Sequence, residues 1–117
     1  MQINQRQRGD VAVLELSGTL HCGSGERVLE QTIQEITRQG CVRIVMNLRD
    51  VTHIDTMCLG IFIAAQVRCQ RQRGGVALLE TPPRIRHLLS IARLNQFLPA
   101  FETEEEAVQA VSSVPTS

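Results

Sequence analysis

A change of period in the middle of the chain constrains its fold most. Residues 41–48, CVRIVMNL, form a nearly continuous apolar run rich in branched side chains, the pattern of a central strand covered on both faces. Beyond Thr56 the apolar positions become helical in spacing, with Leu59, Phe62 and Ile63 on one side, until the pattern runs out at Gly74-Gly75. A buried strand that feeds a helix is half of a βαβ unit, and such units build parallel sheets through right-handed crossovers.

The flanking sequence repeats the alternation. Residues 2–7 read as a short polar edge strand, residues 8–10 as a turn, and residues 11–18 as a strand ended by Gly18. Val28, Leu29, Thr32, Ile33 and Ile36 mark a helix that Gly40 terminates, with Gly23-Ser24-Gly25 as its opening. Residues 76–80 form another buried strand; Thr81 is the expected N-cap, with Pro82 at the first position, of a helix carrying Ile85, Leu88, Leu89 and Ala92. Residues 97–101 are a short extended segment, and Pro99, without an amide donor, belongs at a sheet edge. Thr103 and Glu106 have the spacing of a capping box, and the run Glu104 to Glu106 reads as a solvated helix start. The order β-β-α-β-α-β-α-β-α predicts one α/β domain over residues 1–112. Its central sheet would be mostly parallel, with about four or five strands and about four helices, and residues 113–117 would be a flexible tail. Loops after Gly18, Leu48 and Glu80 would then gather at the carboxyl ends of the strands, with residues 53–56, HIDT, in that row.

Composition removes several function classes. The 117-residue chain carries twelve arginines, no lysine and twelve acidic residues. The balance leaves no net field to attract nucleic acid or an anionic membrane, and the lack of lysine excludes Schiff-base and phosphate-loop lysine chemistry. Phe62, Phe97 and Phe101 are the aromatic residues, too few for a base-stacking platform. The amino terminus shows no apolar leader, and no apolar run nears the ~20 residues of a membrane helix. Cys22, Cys41, Cys58 and Cys69 are scattered without a Cys-x-x-Cys pair, so they read as reduced thiols of a cytoplasmic protein. There is no Gly-x-Ser-x-Gly elbow and no glycine-rich phosphate loop, so no enzymatic activity, cofactor or metal is expected. His21, Cys22, His53, Asp55 and Cys58 are of metal-ligating type, but no close-spaced pair of them exists.

Several segments together resemble the STAS domain, the module of sulphate transporters and anti-sigma-factor antagonists. They are VAVLELSGTL, VRIVMNLRDVTHIDTMCLGIFIAA and RGGVALLETPPRIRHLLSIARLNQFLPAFETEEEAV. The resemblance covers about residues 8–111. It implies that Thr56, after the motif aspartate Asp55, is a phosphoacceptor. The unmodified form would bind an anti-sigma factor that is also a serine-threonine kinase of the histidine-kinase-like ATPase class, and so release a sigma factor; a phosphatase would reset it. The chain departs from the family's usual residues at Asn47, at His21, at Met57-Cys58, at Arg93 (often glycine) and in using threonine as acceptor.

Thr56 has a plain structural reading as well, since Asp55 or Thr56 can serve as a helix N-cap worth ~1 kcal/mol. The two roles are compatible, because a phosphate at a helix start faces free amides and the positive dipole end. Met57, Ile61 and Ala64 fall on a second helix face that begins beside Thr56 and continues towards Arg68 and Arg71. His21, His53, Met57, Cys58, Ile61, Ala64 and Arg68 are therefore the expected partner contacts, with the protein a monomer or weak dimer. Two other readings stay open: a non-phosphorylated STAS subunit of a membrane lipid-transport ATPase, and a ligand or redox sensor using Cys58 or the loop cluster.

Overall fold

The computed structural model describes residues 1–24 and 27–112. The expected tail, residues 113–117, and the Gly25 end of the expected helix opening lie outside the described residues. Five strands form one sheet in the order β1(Gln2–Arg8), β2(Val11–Leu20), β3(Arg43–Ile54), β4(Gly75–Leu79), β5(Ala100–Phe101). β1 and β2 are an antiparallel hairpin closed by Gly9, whose φ of 63° favours glycine. All later pairings are parallel, each strand one place further along the sheet. The predicted α/β domain with a mostly parallel sheet is thus the observed one, and the apolar run in residues 41–48 supplies its central strand.

Among the described residues four α-helices accompany the sheet: α1(Val28–Arg38), α2(Thr56–Arg71), α3(Pro83–Ile91) and α4(Glu104–Val111). The strand period of two divides the core. Ala12, Leu14, Leu16, Ile44, Met46, Leu48, Val76 and Leu78 face one way and pack with Leu29 and Ile33 of α1, Leu59 and Phe62 of α2, and Ile85 and Leu89 of α3. Val11, Val13, Val45, Ala77 and Leu79 face the other way, against Ala107 and Val111 of α4. α1 ends as Gly40 predicts: Gly40, at φ 97°, donates to the Thr37 carbonyl and Cys41 to the Ile36 carbonyl, the paired bonds of a Schellman cap. α3 ends in the same way on Arg93, at φ 59°, which explains why glycine suits that position.

Several local expectations need correction. Gly18 does not end β2; it sits inside the strand at φ 87°. β3 likewise runs past Leu48 to Ile54. The two extensions pair with each other, through register shifts between Glu15 and Ser17 and between Gly18 and Thr19. Each shift leaves one extra residue on β3, the mark of a bulge. Thr81 does not cap α3. Pro82 is the N-cap and Pro83 the first helical residue, because proline's fixed φ suits that place; the buried Thr81 hydroxyl has no hydrogen-bond partner among the described residues. Thr103 does cap α4, accepting from the Glu106 amide at 3.2 Å. Glu104 is more than a solvated charge: Arg6 and Arg8 of β1 reach its carboxylate at 2.6 and 2.8 Å, tying α4 to the edge strand.

Gln66 is a buried amide on the core side of α2. β5 is so short that it pairs only with Leu78 and Leu79, leaving Val76 without a strand neighbour on that side. The Gln66 side chain takes that neighbour's place. Its Oε1 accepts from the Val76 amide at 2.8 Å, and its Nε2 donates to the Val76 and Phe97 carbonyls at 2.9 and 2.7 Å. Gln66→Ala should cost about 2–4 kcal/mol, since buried backbone groups lose their partners. Gln66→Leu, which restores volume, should stay less stable than wild type in urea unfolding; equal stability would contradict this role.

Candidate functional site

The site is built where β2 and β3 leave the sheet. Because the two strands are parallel neighbours extended together, their exits stay side by side: the Asp55 amide donates to the Leu20 carbonyl at 3.1 Å. β2 leads into a short 3-10 turn, Cys22–Ser24, and β3 leads through Asp55 into α2. Asp55 is extended, at φ −90° and ψ 169°, as an N-cap should be. Its Oδ1 accepts from the Cys58 amide at 2.9 Å and its Oδ2 from the Gly23 amide at 3.0 Å. One carboxylate therefore starts the helix and holds the neighbouring turn.

Burial by itself pushes the Asp55 carboxyl up. The amides of Gly23 and Cys58, the charge of His21 and the Cys22 amide outweigh it and hold the group below its ordinary range. The charged form is the one hydrogen-bonded in the folded state.

Thr56 is the first residue of α2 and is exposed. Its hydroxyl makes no hydrogen bond among the described residues, so the capping role belongs to Asp55 and Thr56 is left for other chemistry. Met57 beside it is 56% exposed despite its apolar chain. Gly60 and Ala64 continue the exposed face, and Arg68 lies further along it. Ile61 is only half on this face, since its side chain also packs on the core in the cleft between α1 and α2. Arg68 flanks that cleft, with its guanidinium 3.4 Å from the Thr37 hydroxyl. The structure thus brings Thr56, Met57, Ala64 and Arg68 onto one open surface.

The two histidines part company. His21 is exposed beside Asp55, whereas His53 turns towards α3, its Nε2 3.1 Å from Nη1 of Arg84. Cys58 is not a surface residue at all. It is fully buried and disulfide-bonded to Cys22, with 5.4 Å between the Cα atoms, which corrects both its place among the partner contacts and the expectation that the cysteines are reduced thiols. Cys41 and Cys69 are free. One ligand atom each from Cys22, Asp55 and Cys58 lies within 4.8 Å of the others, but zinc binds thiolates, and here both sulfurs are used in the bond between them.

Gly60 lies within a segment that carries the family resemblance, but the sequence assigned it no role. It lies one turn after Thr56, has an ordinary helical conformation, and a Cβ placed on it would meet nothing within 4 Å. Glycine inside a helix costs about 1 kcal/mol relative to alanine, so the chain's own packing does not account for it. A glycine in a helix whose Cβ direction is open is the signal that could have marked it.

The chain matches the STAS domain family over residues 2–107. It is 25% identical over 114 residues to the anti-sigma F factor antagonist of Paenibacillus polymyxa, covering 97% of each chain. The fold is that of protein TM1081 of Thermotoga maritima, with a TM-score of 0.85, 22% identity and 93% of each chain covered. It is also that of SpoIIAA, solved as an anti-sigma factor antagonist in its unphosphorylated form and as a Bacillus cell fate determinant in the phosphorylated form. Those TM-scores are 0.73 and 0.72, both at 21% identity; 93% of this chain is covered in each case, with 96% and 98% of the two SpoIIAA chains. Among the described residues no helix is long and apolar enough to cross a membrane.

The Asp55 carboxyl, held low in the folded protein, contributes stability that is fully present above its unfolded-state value and lost as pH falls through the folded one. The stability advantage of wild type over Asp55→Asn should therefore be widest above about pH 4 and narrow below it. Urea unfolding of both proteins at neutral and acid pH tests this; a gap that does not change with pH would contradict it.

Proposed function

Because the chain belongs to the STAS domain family, we propose that it is an anti-sigma factor antagonist of the cytoplasm, a binding module and kinase substrate rather than an enzyme. The unmodified form binds an anti-sigma factor with serine-threonine kinase activity, of the histidine-kinase-like ATPase class, and a sigma factor is released. Phosphorylation of Thr56 ends that binding, and a phosphatase restores it. The observation that carries this reading is the division of labour at the start of α2. The Asp55 side chain does the capping, and Thr56 is exposed at the edge of an open apolar surface. The near full-length relation to an anti-sigma F factor antagonist supports the same reading.

The switch is local. A phosphate on Thr56 brings about −1.5 to −2 charges to a position next to the Asp55 carboxylate. The free amides at the helix start accommodate an anion, so the domain need not unfold. A partner seated on Met57, Gly60 and Ala64 would have to bury that charge unpaired, at a cost of about 2–5 kcal/mol. His21 and Arg68 flank this surface. Gly60 lets the partner's backbone approach the helix closely beside Thr56.

Two outcomes test the reading. In lysate of the source organism supplied with labelled ATP, wild type should be phosphorylated and Thr56→Ala should not; label persisting on the variant would sink the site. Gly60→Ala should raise stability by about 1 kcal/mol yet weaken kinase binding. A variant that gains stability and binds as well as wild type would remove Gly60 from the interface.

A further inference from the structure

Cys22 and Cys58 lie at the heart of this end of the molecule, and the function proposed above does not use them. We propose that they are a reversible thiol-oxidation site, whose disulfide clamps the 3-10 turn Cys22–Ser24 onto the first turn of α2 and whose reduction loosens that turn beside Thr56. The regulatory meaning rests on the reading of this helix start as the partner-facing end.

The placement carries the argument. The disulfide joins the same two segments that Asp55 already bridges through the Gly23 and Cys58 amides. Oxidation therefore adds a covalent tie where a polar one exists, and reduction removes the covalent tie without removing the helix cap. The two sulfurs differ in access: Cys22 keeps 6% exposure at the surface turn, while Cys58 has none. A small thiol or disulfide reaches Cys22 first. The reduced state also has a place in the fold, because the Leu20 carbonyl lies 3.4 Å from the Cys58 sulfur and gives its thiol an acceptor. The two free cysteines contrast with this pair. Burial pushes the Cys69 thiol up to about 11, with Cys41 next to it adding to the shift, so Cys69 stays protonated and unreactive. Under the reading above the protein works in a reducing compartment, where disulfides are transient and redox-sensing rather than permanent staples.

The chemistry balances with a low-molecular-weight disulfide such as glutathione disulfide as oxidant. The Cys22 and Cys58 S–H bonds break and one S–S bond forms between them. The oxidant's own S–S bond takes up the two electrons and two protons, giving two free thiols. In reverse, a small thiolate attacks the Cys22 sulfur and Cys58 leaves as a thiolate in the first turn of α2. A second small thiol then attacks the small-molecule sulfur of the mixed disulfide, giving the small disulfide and the Cys22 thiol, and Cys58 takes up the remaining proton.

The test uses the whole chain in graded glutathione and dithiothreitol redox buffers, with acid quenching, maleimide trapping and intact-mass analysis, followed by amide hydrogen exchange on both forms. One two-electron transition confined to Cys22 and Cys58 is expected, with Cys41 and Cys69 remaining thiols throughout. Reduction should speed exchange at the Gly23 amide by about tenfold and leave the amides of β3 and β4 unchanged. A Cys22→Ser, Cys58→Ser double variant should show the reduced pattern even in oxidising buffer. Four results would overturn the proposal: thiols that stay reduced against glutathione disulfide, reduction that unfolds the whole domain, Gly23 exchange that is equal in both forms, or stoichiometric zinc held by the freshly purified protein. None of these readouts depends on phosphorylation of Thr56, so the proposal and the function above fail separately.

Discussion

The Asp55 carboxylate is the interaction on which the working end of the molecule depends. Its two oxygens take amides from two different segments, the turn after β2 and the first turn of α2. A single side chain can do this because the parallel pairing of β2 and β3 delivers both segments to the same place. Capping by Asp55 also decides what Thr56 is. A threonine at the N-cap would turn its hydroxyl onto the helix's own amides; one position later the hydroxyl is left at the surface.

The main supports of the fold lie apart from the Thr56 surface. The core consists of apolar strand faces covered by α1, α2 and α3 on one side and α4 on the other. The polar devices that hold the sheet's edges lie away from Thr56: Gln66 at the start of β4, and Arg6 and Arg8 with Glu104 across β1 and α4. A charge added at Thr56 therefore changes the surface of α2 without touching those supports. α2 joins the two regions, with Leu59, Phe62 and Gln66 buried on one side and Met57, Gly60 and Ala64 open on the other.

Elements with a strong apolar period were legible in the sequence. The central strand, α1, α2, α4 and the order of elements along the chain follow from residues such as Ile44, Ile33, Phe62 and Thr103, whose local signals agree with their tertiary places. The extensions of β2 and β3 were not legible. Thr19 and Leu20 of β2 pair with His53 and Ile54, and Asp50 and Val51 of β3 pair with Ser17 and Gly18; these residues are strand because of that pairing, which no local pattern encodes. The disulfide was hidden for the same reason: its cysteines are separated by 36 positions in the chain and meet only through the topology. Gln66 looked misplaced on an apolar face because the unpaired edge it satisfies exists only once β5 proves to be two residues long.

The central claim is that Thr56 controls what binds the open face of α2. The measurement that tests it most directly is parallel capture from lysate of the source organism on immobilised wild type and Thr56→Asp, with bound proteins identified by mass spectrometry. A kinase of the histidine-kinase-like ATPase class is expected on wild type, and its loss on Thr56→Asp. The same set of proteins on both baits, membrane transport subunits above all, would contradict it and leave Thr56 as nothing more than the first residue of a helix.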